Sequence, residues 1–209
     1  MNLEELRGKL SYQGILLGGV ALLTSAALAM ASHVTEADIR AAEAADLKQS
    51  LTQVLPGAYD NDLLKDTVTL PGKEGEVLAY RARRQDKIEA VVYRVVGHGY
   101  AGAIVCVLGV SREGKVLGVR VIKHKETPGL GDKIEPAKGD WIHSFEGKWL
   151  GDPPADKWAV KKDGGVFDQF AGATITPRGV VRAVKEGLEF FEKNRTALLD
   201  DAVAKGAKP

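Results

Sequence analysis

Phe170-Ala171-Gly172-Ala173-Thr174-Ile175-Thr176-Pro177 is the stretch on which the reading of this chain turns. Pro177 suits the first position of a helix, because its ring presets φ and its missing N–H would lack a partner there. Thr176 is then expected at the N-cap. Val180, Val181, Val184, Leu188 and Phe191 follow at helical spacing, so one face of that helix is expected to be buried. Its first turn offers open N–H groups and the positive end of the dipole to an anion, phosphate included. A capped amphipathic helix is common. The small pair Gly172-Ala173 adds something less common, room for a bulky group to approach the backbone.

Upstream, the pattern changes to strands. Val77 to Arg81 predicts a strand, Arg84-Gln85-Asp86 a turn, and Ile88 to Val96 the returning strand. Gly97 to Gly102 is a glycine-rich loop. Ala103 to Val110 is almost wholly apolar, as suits a central strand covered on both faces. Ser111 to Gly114 turns the chain into a strand from Lys115 to Ile122. In the loop that follows, Pro128-Gly129 fits the centre of a type II turn, with Gly131 allowing a second close approach. His143 to Val166 is poor in helical pattern. An antiparallel sheet with helices at both ends reads as α+β.

Composition sets limits. The chain has 209 residues, of which 44% are hydrophobic and 27% charged, values of a globular protein with a core. A formal net charge of +1 gives no electrostatic case for nucleic acid. Cys106 is the only cysteine, so neither an intrachain disulfide nor a cysteine-held iron–sulfur cluster is possible. In its apolar run it reads as buried and inert. The four histidines lack metal-site spacing, so no metal is expected; His124 and His143 read as surface or structural.

Gly14 to Ser32 carries no charge and is just long enough to span a bilayer. Arg7 and Lys9 precede it, which favours a cytoplasmic N-terminus. Ala29-Met30-Ala31 also matches a cleavage pattern, but the apolar run is longer than a usual signal core, so a retained anchor is favoured. Thr35 is expected to cap a second helix, ended by Pro56-Gly57. The expected organisation is a short cytoplasmic segment (1–13), a transmembrane helix (14–32), a helical stalk or packing segment (33–70), a periplasmic domain (71–195) and a C-terminal tail (196–209).

Three segments also carry a resemblance. Gly172-Ala173-Thr174-Ile175-Thr176 resembles the flavinylation motif of the FMN-binding domain family, in which the last threonine carries FMN through a phosphoester. Ala171 stands where many relatives have Ser. Glu126-Thr127-Pro128-Gly129-Leu130-Gly131 resembles that family's E-T-P-G-L-G loop, and Gly97 to Gly102 its glycine-rich loop. Phe167 to Phe170 and Val180 to Val184 are similar to the flanks seen in G subunits of Rnf-type (Rsx) electron transport complexes.

The resemblance implies FMN held between Glu126, Thr127, Leu130 and Gly131 on one side and Gly172, Ala173, Thr174 and Thr176 on the other. It implies Thr176 as the esterified residue, with Thr174 the competing acceptor. Leu130 would lie against the isoalloxazine, backbone N–H groups of Leu130 or Gly131 would meet the pyrimidine oxygens, and Lys133 would favour reduced, anionic flavin. No base stands beside Thr176 in the sequence, so an external magnesium-dependent flavin transferase using FAD is implied, with Asp168 helping it engage the loop. The implied function is a membrane-anchored redox relay within an ion-translocating ferredoxin:NAD+ oxidoreductase. Its implied partners are the other membrane subunits of an Rnf-type complex, the transferase and membrane lipid. Alternatives are the C subunit of a sodium-translocating NADH:quinone reductase, a docking subunit without working flavin, and a secreted flavin reductase.

Overall fold

The computed structural model describes residues 10–73 and 75–200. It divides into two compact units with the boundary between Asp46 and Leu47. Helix α1 (Leu10–Gln53) runs through both.

The described part of the first unit, from Leu10, is helix. Its segment Tyr12–Glu36 has mean hydropathy 2.0 and none of it is buried, so it is long and apolar enough to cross a membrane. The separate helix expected from Thr35 does not start there. The Thr35 hydroxyl donates to the Ala31 carbonyl at 2.8 Å, as Thr24 does to Val20 at 2.9 Å, both bonds of a helix interior. No glycine or proline lies between Gly19 and Pro56, so nothing in the backbone interrupts the helix. The expected cytoplasmic segment falls largely on residues 1–9, outside the described residues.

The second unit is built on a five-stranded antiparallel meander in sequence order. Its strands are β1 (Thr67–Pro71), β2 (Glu76–Arg84), β3 (Lys87–His98), β4 (Ala103–Ser111) and β5 (Val116–Lys123). Strand β1 is an addition to the expected set and lies partly before position 71. Gln85 and Asp86 join β2 to β3 with φ of 50° and 61°, the left-handed pair that a two-residue hairpin of this twist needs.

Side chains of β3 alternate between two buried faces. Val91, Tyr93 and Val95 join one apolar cluster, Ala90 and Val92 the other. The first face is covered by α2 (Ile175–Leu199) through Val180, Val181, Val184, Leu188 and Phe191, all buried as their spacing predicts. The second is covered by Leu51, Val54, Leu55 and Leu63. Gly109 and Gly118 face one another across β4 and β5 directly beneath Val54. Pro56-Gly57 ends the helix above them, with Gly57 at φ 86°.

Cys106 is fully buried, and burial pushes its thiol up to about 12. Its reactive thiolate is therefore scarce at neutral pH. The native chain is expected to resist maleimide at pH 8 and to take up one label after denaturation; prompt native labelling would contradict this packing.

Between β5 and α2 the chain makes short 3-10 turns and isolated β-bridges, in keeping with its helix-poor pattern. Aromatic rings hold it instead. Phe145 and Phe167 stack at 4.6 Å, Trp158 lies 5.2 Å from Phe167, and Trp141 lies 5.1 Å from Phe170. The Trp141 ring N–H donates to the Asp168 carbonyl at 2.8 Å. The expected tail from 196 is still helix as far as Leu199, with Leu198 fully buried; residues 201–209 lie outside the described residues.

Candidate functional site

Helix α2 begins two residues earlier than Pro177 suggests. Thr174, not Thr176, is its N-cap, and the Thr174 carbonyl accepts the first helical bond from Arg178 at 3.4 Å. Thr176 is the second helical residue and Pro177 the third. Proline is tolerated there because a backbone N–H in the first turn has no helical acceptor in any case. Thr174 gives no side-chain cap bond, so the first turn keeps N–H groups that its own cap leaves open. Thr174 and Ala173 are half-buried, while Gly172 and Ile175 are exposed.

Two similar turns flank this helix start. In one, the Leu130 N–H donates to the Thr127 carbonyl at 3.1 Å around Pro128-Gly129, with Gly129 at φ 79° as expected of type II. In the other, the Ala173 N–H donates to the Phe170 carbonyl at 3.1 Å around Ala171-Gly172, with Gly172 also at φ 79°. The turns meet: a Cβ at Gly172 would lie 3.6 Å from Leu130 Cδ2 and touch nothing else within 4 Å. Leu130 is 45% exposed and Ile175 46%. The result is an open cradle with apolar rims beside an uncapped helix start. Thr127 and Lys133 are exposed next to it.

Under the cradle lies a carboxylate. Glu126 is 5% exposed, and it accepts from the Ala101 N–H at 2.9 Å, the Tyr100 N–H at 3.3 Å and the Thr176 hydroxyl. Thr176 is itself only 1% exposed. The sequence places no base beside Thr176, but the fold does, because Glu126 arrives there from 50 residues away. Gly131 closes the arrangement. A Cβ there would come within 2.9 Å of both Thr176 Oγ1 and Glu126 Oε2.

A second layer holds Glu126 in turn. Its backbone N–H donates to His124 Nδ1 at 3.1 Å, and His124 Nε2 lies 2.9 Å from Glu135 Oε1. This fixes the neutral tautomer with the proton on Nε2. His124 is therefore structural, as is His143, whose Nδ1 lies 2.7 Å from Glu146 Oε1. Asp132, next along the loop, is 5% exposed, with Oδ2 3.8 Å from Lys138 and Oδ1 without a hydrogen-bond partner among the described residues.

The segment leading into the cradle is pinned from inside and free outside. Phe167 and Phe170 are buried, while the Asp168 side chain is 68% exposed and 2.6 Å from Lys161 Nζ. Arg178 grips Asp163 through two bonds of 2.5 Å. Those bonds hold the Asp163 carboxyl below the usual carboxylate range.

Residues 99–189 match the FMN-binding domain family. That window contains Tyr100–Ala101, Glu126–Gly131 and Gly172–Thr176, every segment of the cradle. The G subunit of an ion-translocating oxidoreductase complex from Cereibacter sphaeroides is 50% identical over 188 residues, covering 89% of this chain and 86% of that relative. The chain belongs to the G-subunit family of ion-translocating oxidoreductase complexes. The family's G subunit from Pseudomonas aeruginosa is 46% identical over 207 residues, 96% of this chain and 97% of that one. Among solved structures, Shewanella oneidensis NqrC has the same fold, with a TM-score of 0.55 at 22% identity over 76% of this chain and 98% of that one. The C subunit of the Na(+)-translocating NADH-quinone reductase from Parabacteroides distasonis gives 0.56 at 19% identity, over 74% and 93%. Identity of 46–50% along nearly the whole chain sets the G subunits apart from those two relatives in fold alone.

The cradle suits the group for which the domain family is named. Leu130 and Ile175 offer apolar surface for a planar ring, the two glycine turns leave space for it, and the uncapped start of α2 suits a phosphate.

Proposed function

We propose that this chain is the membrane-anchored redox subunit of an ion-translocating oxidoreductase complex of the Rnf type, and that it carries FMN as a phosphoester on Thr176. The observation that supports the acceptor is what surrounds its hydroxyl. The Thr176 oxygen is the point where three distant segments converge: the first turn of α2, the Glu126–Gly131 loop, and, through Glu126, the turn holding Tyr100 and Ala101. Thr174, the competing acceptor, lies half-buried at the rim, and its hydroxyl has no carboxylate partner among the described residues. A phosphate on the second helical residue stays within the first turn of α2, at the positive end of its dipole. Thr176 is 1% exposed, so the turn bearing Leu130 and Gly131 must draw back from α2 before the ester forms.

FMN supplies the ability to take and give electrons singly or in pairs. The chain's own residues hold and shield it. Leu130 and Gly172 would bound the ring site, beside a loop whose Leu130 and Gly131 N–H groups are engaged with the Thr127 carbonyl, and Lys133 would add a positive charge that favours the reduced, anionic form. Ester formation is assigned to an external flavin transferase with FAD as donor, and the exposed Asp168 carboxylate is the handle offered to it. The apolar helix anchors the chain in the cytoplasmic membrane. Arg7 and Lys9 before it favour a cytoplasmic N-terminus, with the FMN-binding domain in the periplasm beside the complex's other membrane subunits.

Intact mass and peptide mapping of the chain purified from its native membrane test the reading. One added FMN ester, located by fragmentation on Thr176, is the expected result. An ester on Thr174 refutes the site assignment. An unmodified peptide from cells with an active transferase refutes the carrier role and favours a docking subunit.

A further inference from the structure

A threonine hydroxyl is a weak nucleophile, and it becomes a useful one when a base is in place to take its proton. In this fold a carboxylate of the acceptor protein itself stands beside that hydroxyl. Glu126 accepts from the Thr176 hydroxyl, and its other partners, the Tyr100 and Ala101 N–H groups, are donors as well. A carboxylate bonded in this way has a lone pair turned toward the Thr176 proton. It is also held firmly. A Cβ at Gly99 would lie 2.8 Å from the Glu126 carboxyl carbon, and the Glu126 N–H is tied to His124. The hydrogen-bonding anchors lie on the Gly99–Ala101 turn and on His124; Gly131, from the turn bearing Leu130, touches Glu126 by packing alone, a Cβ added there lying 2.8 Å from the Glu126 Cβ. The Leu130 turn is fastened differently: Leu130 and Gly131 both donate to the Thr127 carbonyl at 3.1 Å, bonds internal to the turn. Drawing that turn back from α2 therefore breaks no hydrogen bond between it and Glu126.

We propose that Glu126 is a catalytic residue of the attachment reaction, contributed by the acceptor chain: the general base that takes the proton of Thr176 while the transferase supplies the nucleotide. The proposal rests on the assignment of the ester to Thr176. In the step, Thr176 Oγ1 forms a bond to the FMN phosphorus of FAD, and the bond from that phosphorus to the bridging oxygen breaks. AMP leaves with the electron pair of that bond, and the hydroxyl proton passes to Glu126. No oxidant or reductant is consumed. The hydrogen bond and the ester exclude one another, since the esterified oxygen has no proton left to donate. Glu126 thus serves the hydroxyl once, before modification, and afterwards keeps only its backbone donors.

The test uses the full chain in detergent, purified from cells lacking the transferase, with purified transferase, FAD and Mg2+. Initial rates of flavin attachment are read by fluorescence and AMP release as the chain concentration is varied, which separates kcat from the KM for the chain. Wild type, E126Q, E126A, T176A and T174A are compared, with melting temperatures taken beside them. General-base catalysis contributes about 10²–10⁴-fold. E126Q is therefore expected to lose about a hundredfold or more in kcat with KM within about threefold of wild type. Formate, a carboxylate small enough for the space left in E126A, is expected to restore its rate at least tenfold without moving its melting temperature. A kcat in E126Q within about threefold of wild type overturns the proposal. So does a loss in E126Q and E126A that appears only as a raised KM or a lowered melting temperature and that formate does not relieve, since Glu126 would then be structural. T176A is expected to take up no flavin, and T174A to take it up on Thr176, at whatever rate its altered rim allows. The reverse pattern overturns the acceptor assignment itself, whatever Glu126 does.

Discussion

Gly179→Ala is expected to destabilise the FMN-binding domain, although the same change stabilises most helices. Two effects oppose. Alanine gains about 1 kcal/mol over glycine in a helix interior. Overpacking against rigid neighbours costs about 1–3 kcal/mol, sometimes more. At Gly179 the neighbour is backbone: an added Cβ would press on the His98 carbonyl oxygen and lie 2.8 Å from its carbon, with the Gly99 nitrogen at 3.3 Å. The approach is mutual, since a Cβ at Gly97 would lie 2.8 Å from the Gly179 carbonyl carbon. Peptide atoms of a paired strand cannot rotate aside as a long side chain can, so the clash wins and α2 must lift from β3. A lower urea midpoint for the detergent-solubilised full chain, with reduced flavin attachment, is the expected outcome. An unchanged or raised midpoint would show that helix and strand are not in contact there.

The second large effect is at Phe167. Its ring is 2% exposed, stacked on Phe145 at 4.6 Å and close to Trp158. Truncation of such a residue to Ala costs about 3–5 kcal/mol through lost transfer energy and the cavity left behind. Here the cost has a local consequence. Phe167 and Phe170 are the buried ends of the tetrapeptide whose middle residues, Asp168 and Gln169, stay at the surface. Without the first anchor the approach to α2 and Thr176 loses its fixed course. Phe167→Ala is expected to lower the melting temperature sharply, to shift tryptophan emission to longer wavelength, and to impair modification, whereas Phe167→Leu keeps most of both. Normal flavin loading in a Phe167→Ala chain with a depressed melting temperature would separate stability from site geometry and defeat the second half of this expectation.

Local chemistry made much of this fold readable. The turn at Arg84-Gln85-Asp86, the apolar run of β4, the Pro128-Gly129 turn and the apolar stripe of α2 each depend on residues a few positions apart, and each appears where its pattern places it. The start of α2 was readable only to within two residues. A proline is equally acceptable throughout the first turn, so Pro177 could not choose between Thr174 and Thr176 as the cap. Thr35 misled for a related reason: a threonine before acids resembles a cap, but mid-helix its hydroxyl finds a carbonyl four residues back. Strand β1 is short and ends in proline, and its membership of the sheet comes from its partner β2. Glu126 was the least legible residue in its surroundings. In sequence it is one charge in a loop, and its burial follows from donors 25, 26 and 50 residues away. Gly99 and Gly131 were the available clue, since both lack a side chain where that carboxylate needs the space.

The meander also dictates a schedule. Each strand pairs only with its neighbour in sequence, so the sheet can be laid down hairpin by hairpin as the polypeptide emerges, with little loop-closure entropy lost at any step. The cradle cannot be assembled that way. Its last wall is the first turn of α2, which arrives after every strand is in place, and the carboxylate at its floor waits for the hydroxyl that this turn brings. Attachment at Thr176 would consequently report on maturity: a chain stalled before its final helix docks has no acceptor surface to show, so the transferase would commit scarce nucleotide only to completed copies.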